Sequence, residues 1–175
     1  MKFNNFFLVF IFFSITQIIF SQTLSEGYQE FKLGLSKQEV ENLLKTSGDF
    51  WGNKKDVIVM RHQPDQQIIT VEGKGYIEIG YFHFYEDQLY QIFLVINSEK
   101  IGYYSLLKRL TDKFASPKTL DPLSAQWENE TVKIEIEKPC TIKYYYLPIW
   151  NQLLNSDLSD RKIDQKSREN FVDGL

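Results

Sequence analysis

Between Tyr76 and Ile96 the chain holds two long runs that meet at Glu86-Asp87, and no other stretch constrains the fold as tightly. Tyr76–Tyr85 and Gln88–Ile96 are rich in Ile, Phe, Tyr and Val, residues that suit a pleated and packed surface. Two such runs joined by a two-residue link read as an antiparallel hairpin. Side chains alternate across a strand, and both runs are apolar on both parities. That pattern predicts a central, largely buried pair.

Helices are expected on either side of this hairpin. Ser36 is a favourable N-cap, Glu39 completes a capping box, and Leu35 can staple onto Val40. Val40, Leu43 and Leu44 follow helical spacing, and Gly48 suits a left-handed terminator. The spacing therefore predicts a helix over 37–47. Tyr103, Leu106, Leu107, Leu110 and Phe114 form a second amphipathic stripe, which Pro117 stops.

Shorter strands are predicted at Asp56–Arg61, Ile68–Val71, Ala125–Glu128 and Thr141–Leu147. Thr131–Glu137 alternates cleanly, with Val132, Ile134 and Ile136 on one face and Lys133, Glu135 and Glu137 on the other. The order helix, Trp-containing connection, antiparallel strands occurs twice. It suggests an α+β fold of two tandem helix-plus-antiparallel-sheet (αβββ) units, about 31–97 and 98–150, with helices packed on one face of the sheet. From Asn151 to Leu175 the chain turns polar and densely charged. This tail reads either as a partner-docking helix or as a solvated C-terminus.

The compartment is read from the first 21 residues. Lys2 is their only charge, Phe6–Phe20 is apolar, and Ser21 is a small residue before the expected cut. This is a cleavable secretory signal, with a mature start at Gln22. A retained anchor is the alternative, but a bilayer core needs about 20 apolar residues and Ser14, Thr16 and Gln17 interrupt this run. Without a Cys at the cut there is no lipid attachment, and no stable membrane insertion is expected after cleavage. The mature domain, 22–150 with its tail 151–175, is expected to be periplasmic or secreted.

Composition narrows the chemistry. The leader takes one of the 20 basic residues and none of the 23 acidic ones, so the mature chain is acidic. Its charges are interspersed, with no basic stripe for nucleic acid. Cys140 is the single cysteine, which excludes an internal disulfide and reads as a small buried residue or else a reactive thiol. One Cys and two distant His make no zinc pattern, and neither a cofactor nor a metal is expected. Phosphate loops, nucleophile elbows and metalloprotease signatures are missing. His62 and His83 can pair with nearby Asp65 or Glu86, but His83 sits in Tyr81-Phe82-His83-Phe84-Tyr85 and reads as a hydrogen-bonded sheet histidine. Glu135 and Glu137 share a strand face, and a hydrolase using such carboxylates is a third-ranked function.

The surplus lies in aromatic residues. Seven of the 14 Phe belong to the leader, yet all 10 Tyr and 3 Trp are in the mature part. In Thr141–Leu147, Ile142, Tyr144 and Tyr146 are taken to point inward, which puts Tyr145 on the wet face with Lys143. An exposed Tyr is typical of protein-binding hot spots. Tyr145 and Lys143 are the candidate contacts, with a tyrosine-rich core as the alternative.

The stretch FKLGLSKQEVENLL, Phe31–Leu44, resembles the opening of small bacterial envelope domains of the outer-membrane-assembly lipoprotein (SmpA/BamE-like) type. The matching positions are Gly34, Leu35, Ser36, Glu39 and Val40, followed by a hairpin carrying Phe82, Phe84, Leu89 and Tyr90. The tandem order also resembles the secreted β-lactamase-inhibitory protein. The chain departs from the lipoprotein pattern by lacking the acylated Cys. The resemblance implies a non-catalytic scaffold that binds another protein in the cell envelope. The expected function is thus a non-enzymatic exported protein-interaction domain, and the alternative is a binder of a small apolar or peptide-like ligand between helices and sheet.

Overall fold

The structure, a computed structural model, describes residues 23–51, 58–63 and 65–156, with the backbone alone at 58–63. The leader and the tail beyond residue 156 lie outside the described residues, as does the side chain of His62. A small ribbon, β1 (Gly27–Tyr28) and β2 (Phe31–Lys32), precedes α1 (Lys37–Thr46). The strands β3 (Ile58–Gln63), β4 (Gln66–Glu72), β5 (Ile77–Tyr85) and β6 (Gln88–Ile96) follow. Then come α2 (Tyr103–Phe114), β7 (Thr119–Leu120), β8 (Ser124–Glu128), β9 (Val132–Glu137) and β10 (Thr141–Tyr146). A further helix, α3, occupies residues 147–156 and so crosses the expected start of the tail at Asn151.

The expected α+β fold of two tandem units is not what forms. The protein is mostly β, and eight strands make one antiparallel sheet in the order β3-β4-β5-β6-β10-β9-β8-β7. The strands on either side of α2 are fused because β6 pairs with β10, from Thr141 opposite Val95 to Tyr145 opposite Gln91. Backbone groups at the end of one unit's sheet would need water or another partner. Here the two central strands satisfy each other, and one core runs beneath them.

Local signals set the elements. Ser36 Oγ accepts from the Glu39 amide while the Glu39 carboxylate accepts from the Ser36 amide at 2.8 Å, so the capping box closes. The helix ends differently from expectation: Ser47 is the C-cap in an extended conformation, and Gly48 supplies no left-handed turn. At the β5–β6 turn Glu86 and Asp87 both have positive φ, 47° and 62°. That two-residue geometry matches the twist of the flanking strands.

The sheet has two unlike faces. On one, Phe82, Ile92, Leu94, Ile134 and Ile136 are fully sealed. Over them lie Val40 and Leu44 of α1, Leu110 and Phe114 of α2, Phe31 of the ribbon and Phe50 of the connection after α1. Phe31, Phe50 and Phe82 meet ring to ring at 5.0–5.6 Å. Trp127 donates its indole N–H to the Ala115 carbonyl at the end of α2, which ties that helix to the same face. The central pair is expected to be covered on both sides, but among the described residues both long helices and the ribbon lie on this one. The opposite face is half-buried, and it remains the candidate site. No described helix is long and apolar enough to cross a membrane.

Candidate interaction face

The open face is built by strand register. Across the middle of the sheet Thr70 lies opposite Tyr81, Tyr81 opposite Phe93, Phe93 opposite Lys143, and Lys143 opposite Glu135. The next rung runs Ile68, His83, Gln91, Tyr145, Lys133. Each position is the outward parity of its strand, so ten side chains from five strands stand on one surface.

Lys143 lies on this face as expected. It pairs with Glu137, and its ammonium sits 5.2 Å from the Phe93 ring centroid. Tyr145 also lies on this face, but not as an exposed ring: it is only 5% accessible. Trp150 of α3 covers it, with ring centroids 4.9 Å apart, and the Lys133 ammonium lies 4.1 Å from its centroid. Alternation placed the residue on the right face. It carried no sign of the helix that folds back over it.

Glu135 is tied into the same cluster. It accepts from the Tyr145 hydroxyl and from the Gln126 amide, each at 3.2 Å, and lies 3.8 Å from the Lys133 ammonium. Glu135 and Glu137 thus each have cationic partners. His83 sits edge-on to Tyr90 and packs against Phe93 with centroids 5.2 Å apart. Among the described residues no three or more His, Cys, Asp and Glu side chains gather where a metal ion can be held. Cys140 is buried, with its thiol 3.2 Å from the Ile101 carbonyl, and burial pushes that thiol up.

Phe93 and Trp150 are the site residues that sequence reasoning passed over. Phe93 sat within a run apolar on both parities, while Tyr81 stood between an exposed ring and a tyrosine-rich core. Trp150 sat at the end of the last predicted unit, where no helix was read over residues 147–156.

Residues 26–156 match the family model of the TP0088 domain. The chain belongs to the TP0088 domain family. The match takes in the ribbon, the whole sheet and the described part of α3. No curated protein and no solved structure matches the chain.

Within this TP0088 domain the described side chains of α1, α2 and the sheet's inner face form one buried cluster. Clefts of about 360 and 460 Å³ instead flank the segment Thr23–Glu26, and Phe114 lines both.

Tyrosine ionisation gives a first expected result. Burial pushes Tyr144 up to about 12 from an ordinary 10.0. Burial first, then the Glu135 charge and hydrogen bond, raises Tyr145 as well. A group whose folded value is raised contributes stability that is complete below its unfolded value and is lost as pH climbs through the folded one. Denaturant midpoints should hold up to about pH 10 and fall as pH rises toward about 12. Tyr145→Phe should flatten part of that fall. An unchanged slope in the variant means that Tyr145 titrates as an ordinary phenol, in solvent.

Proposed function

We propose that this TP0088 domain is a non-enzymatic, exported protein-binding domain of the bacterial envelope, and that it binds through the open face of its sheet. One observation carries the reading. Among the described residues, the face of the central strands turned away from α1 and α2 carries part-buried Tyr81, Phe93, Ile68 and Val95, beside ion-paired Lys143. Apolar area left accessible on that face costs solvation in the folded monomer, whereas a partner recovers it. The ion pairs at its margin form a polar rim around an apolar centre, as protein interfaces do. Among the described residues the side chains between helices and sheet form one buried cluster, which favours this over a small-ligand binder.

The test is site-specific photocrosslinking in native envelopes. Benzoylphenylalanine at Tyr81 should give a discrete protein adduct. The same probe at Tyr104, 71% exposed on α2, should not. Excess unlabelled domain should compete the adduct away, and Lys143→Glu should weaken it. Equal adducts at both positions, or an adduct that excess domain leaves unchanged, would overturn the reading.

A further inference from the structure

One end of the sheet is set apart by what it leaves exposed. Strand register brings the β4–β5 turn, the end of β6, the start of β10, the end of β9 and the β7–β8 turn together there. Glu72 is opposite Ile79, Ile77 opposite Ile96, and Val95 opposite Thr141. Glu137 is opposite both Thr141 and Ser124, and Ala125 is opposite Leu120. Six large apolar side chains are exposed among the described residues, and five of them gather at this end. Trp51 donates its amide to the Glu72 carbonyl, and Tyr76 stands in the β4–β5 turn that follows Glu72. Tyr104 lies in the first turn of α2, which comes after β6, while Leu120 and Leu123 flank the β7–β8 turn.

Lysines lie among these groups. The Lys74 ammonium is 4.7 Å from the Trp51 ring centroid, and that of Lys138 is 5.2 Å from the Tyr104 centroid. Lys138 also donates its amide to the Leu123 carbonyl, and the Lys100 ammonium donates to the Gly75 carbonyl at 2.7 Å. Asp121, between the two leucines, turns its carboxylate onto its own loop, where it accepts from the Leu123 and Ser124 amides and the Ser124 hydroxyl. Glu72, Glu78 and Glu99 offset the three lysines, so this end is close to neutral. The turns at the opposite end carry Asp65, Glu86, Asp87 and Glu130 and no basic residue.

We propose that this end of the sheet rests on a phospholipid surface, with Trp51, Tyr76, Tyr104, Leu120 and Leu123 at the boundary between headgroups and acyl chains. Spacing favours lipid over a protein partner. From β4 to β7 the sheet order spans six strand intervals, about 29 Å at about 4.8 Å each. Protein hot spots cluster near the centre of an interface. Here the apolar groups are strung along the width of the sheet with polar residues between them, and a lipid surface can take each one separately. Tyr and Trp suit the lipid–water boundary because each has an apolar body and a polar edge. Lysine stems lie along apolar surface while their ammonium groups reach water or phosphate. Lipid phosphates repel the acidic turns at the far end, which orients the molecule the same way. Contact of this kind spans nothing. It uses strand ends and leaves the open face free, so it stands apart from the protein-binding reading above.

The probes are vesicles of equal parts phosphatidylcholine and phosphatidylglycerol, mixed with the chain from Gln22 to Leu175 so that the leader cannot supply the binding. The chain should sediment with the vesicles. Trp51 reports the contact, since Trp127 is sealed and Trp150 is packed on Tyr145. Its emission should shift to shorter wavelength, and brominated acyl chains should quench it. Trp51→Phe should remove that quenching. Leu120→Ser combined with Leu123→Ser should weaken sedimentation about ten-fold, because two apolar side chains no longer leave water. Both leucines are exposed, so the urea midpoint of the double variant should match that of the parent chain. No sedimentation, sedimentation with Trp51 unquenched, or sedimentation that the double variant leaves unchanged would overturn the proposal. So would a discrete protein adduct from benzoylphenylalanine at Leu123 in native envelopes, which would assign this end to a protein.

Discussion

Phe82→Ala should cost about 3–5 kcal/mol of folding stability, measured by urea denaturation. Phe82 is fully buried and touches both the Phe31 and Phe50 rings, so its removal leaves a cavity bounded by two other aromatics. Phe93 provides the internal comparison. It belongs to the adjacent strand, with its ring on the opposite face and only part-buried. Phe93→Ala should cost about 1 kcal/mol, since only part of its area leaves water on folding. Unequal losses of this kind are what a sheet covered on one side requires. Equal losses would mean that the Phe93 face is covered in solution, and the open-face reading of function would fail with it.

Gly73→Ala should cost about 1–3 kcal/mol. A Cβ at Gly73 would meet the Ile77 carbonyl oxygen at 2.4 Å and the Ile77 Cγ2 at 2.7 Å. The obstacle is backbone, so the β4–β5 turn itself has to move. That turn is pinned by the Gly73 amide donating to the Glu78 carbonyl at 2.8 Å and by the bridge between Phe50 and Gly73. Displacing it therefore disturbs Phe50 and the ring cluster over Gly80, where a Cβ would already lie 2.7 Å from Phe50. Gly48→Ala is the control, because nothing lies within 4 Å of a Cβ there and its φ is ordinary. It should be neutral or stabilise by about 0.4–1 kcal/mol. A Gly73→Ala variant as stable as Gly48→Ala would show that the turn yields freely.

Much of the local structure was legible in the residues. The span Gln88–Ile96 emerged as written, as did the helix Tyr103–Phe114 and the capping box at Ser36 and Glu39. These depend on periodicities and side-chain chemistry within a dozen residues. The ribbon Gly27–Tyr28 with Phe31–Lys32 and the two-residue β7 were missed, because two residues carry no period. Helix 147–156 was missed for another reason: YYYLPIW reads as a β-type run, and only the fold turns Leu147 away from β10.

The site was legible in part. Alternation put Tyr145 and Lys143 on a common face, and they are there. Whether a face is wet depends on what packs over it, and strand periodicity is silent about that. Both candidates end up in ion and ring contacts, and the aromatic rings of that face that keep some access to water include part-buried Phe93 and Tyr81.

The runs on either side of Glu86-Asp87 determined by themselves that this protein has a central antiparallel hairpin, because β-branched and aromatic residues around a two-residue turn satisfy that geometry locally. Their apolar residues on both parities were also plain from the sequence. Tertiary structure alone decided that β6 pairs with β10, which makes one sheet of the strands around α2. It also decided that the long helices pack on a single face and that α3 covers Tyr145. Those choices depend on contacts between residues some 50 positions apart, as between Phe93 and Lys143, and on burying the most apolar area at once. No short window of sequence contains that comparison.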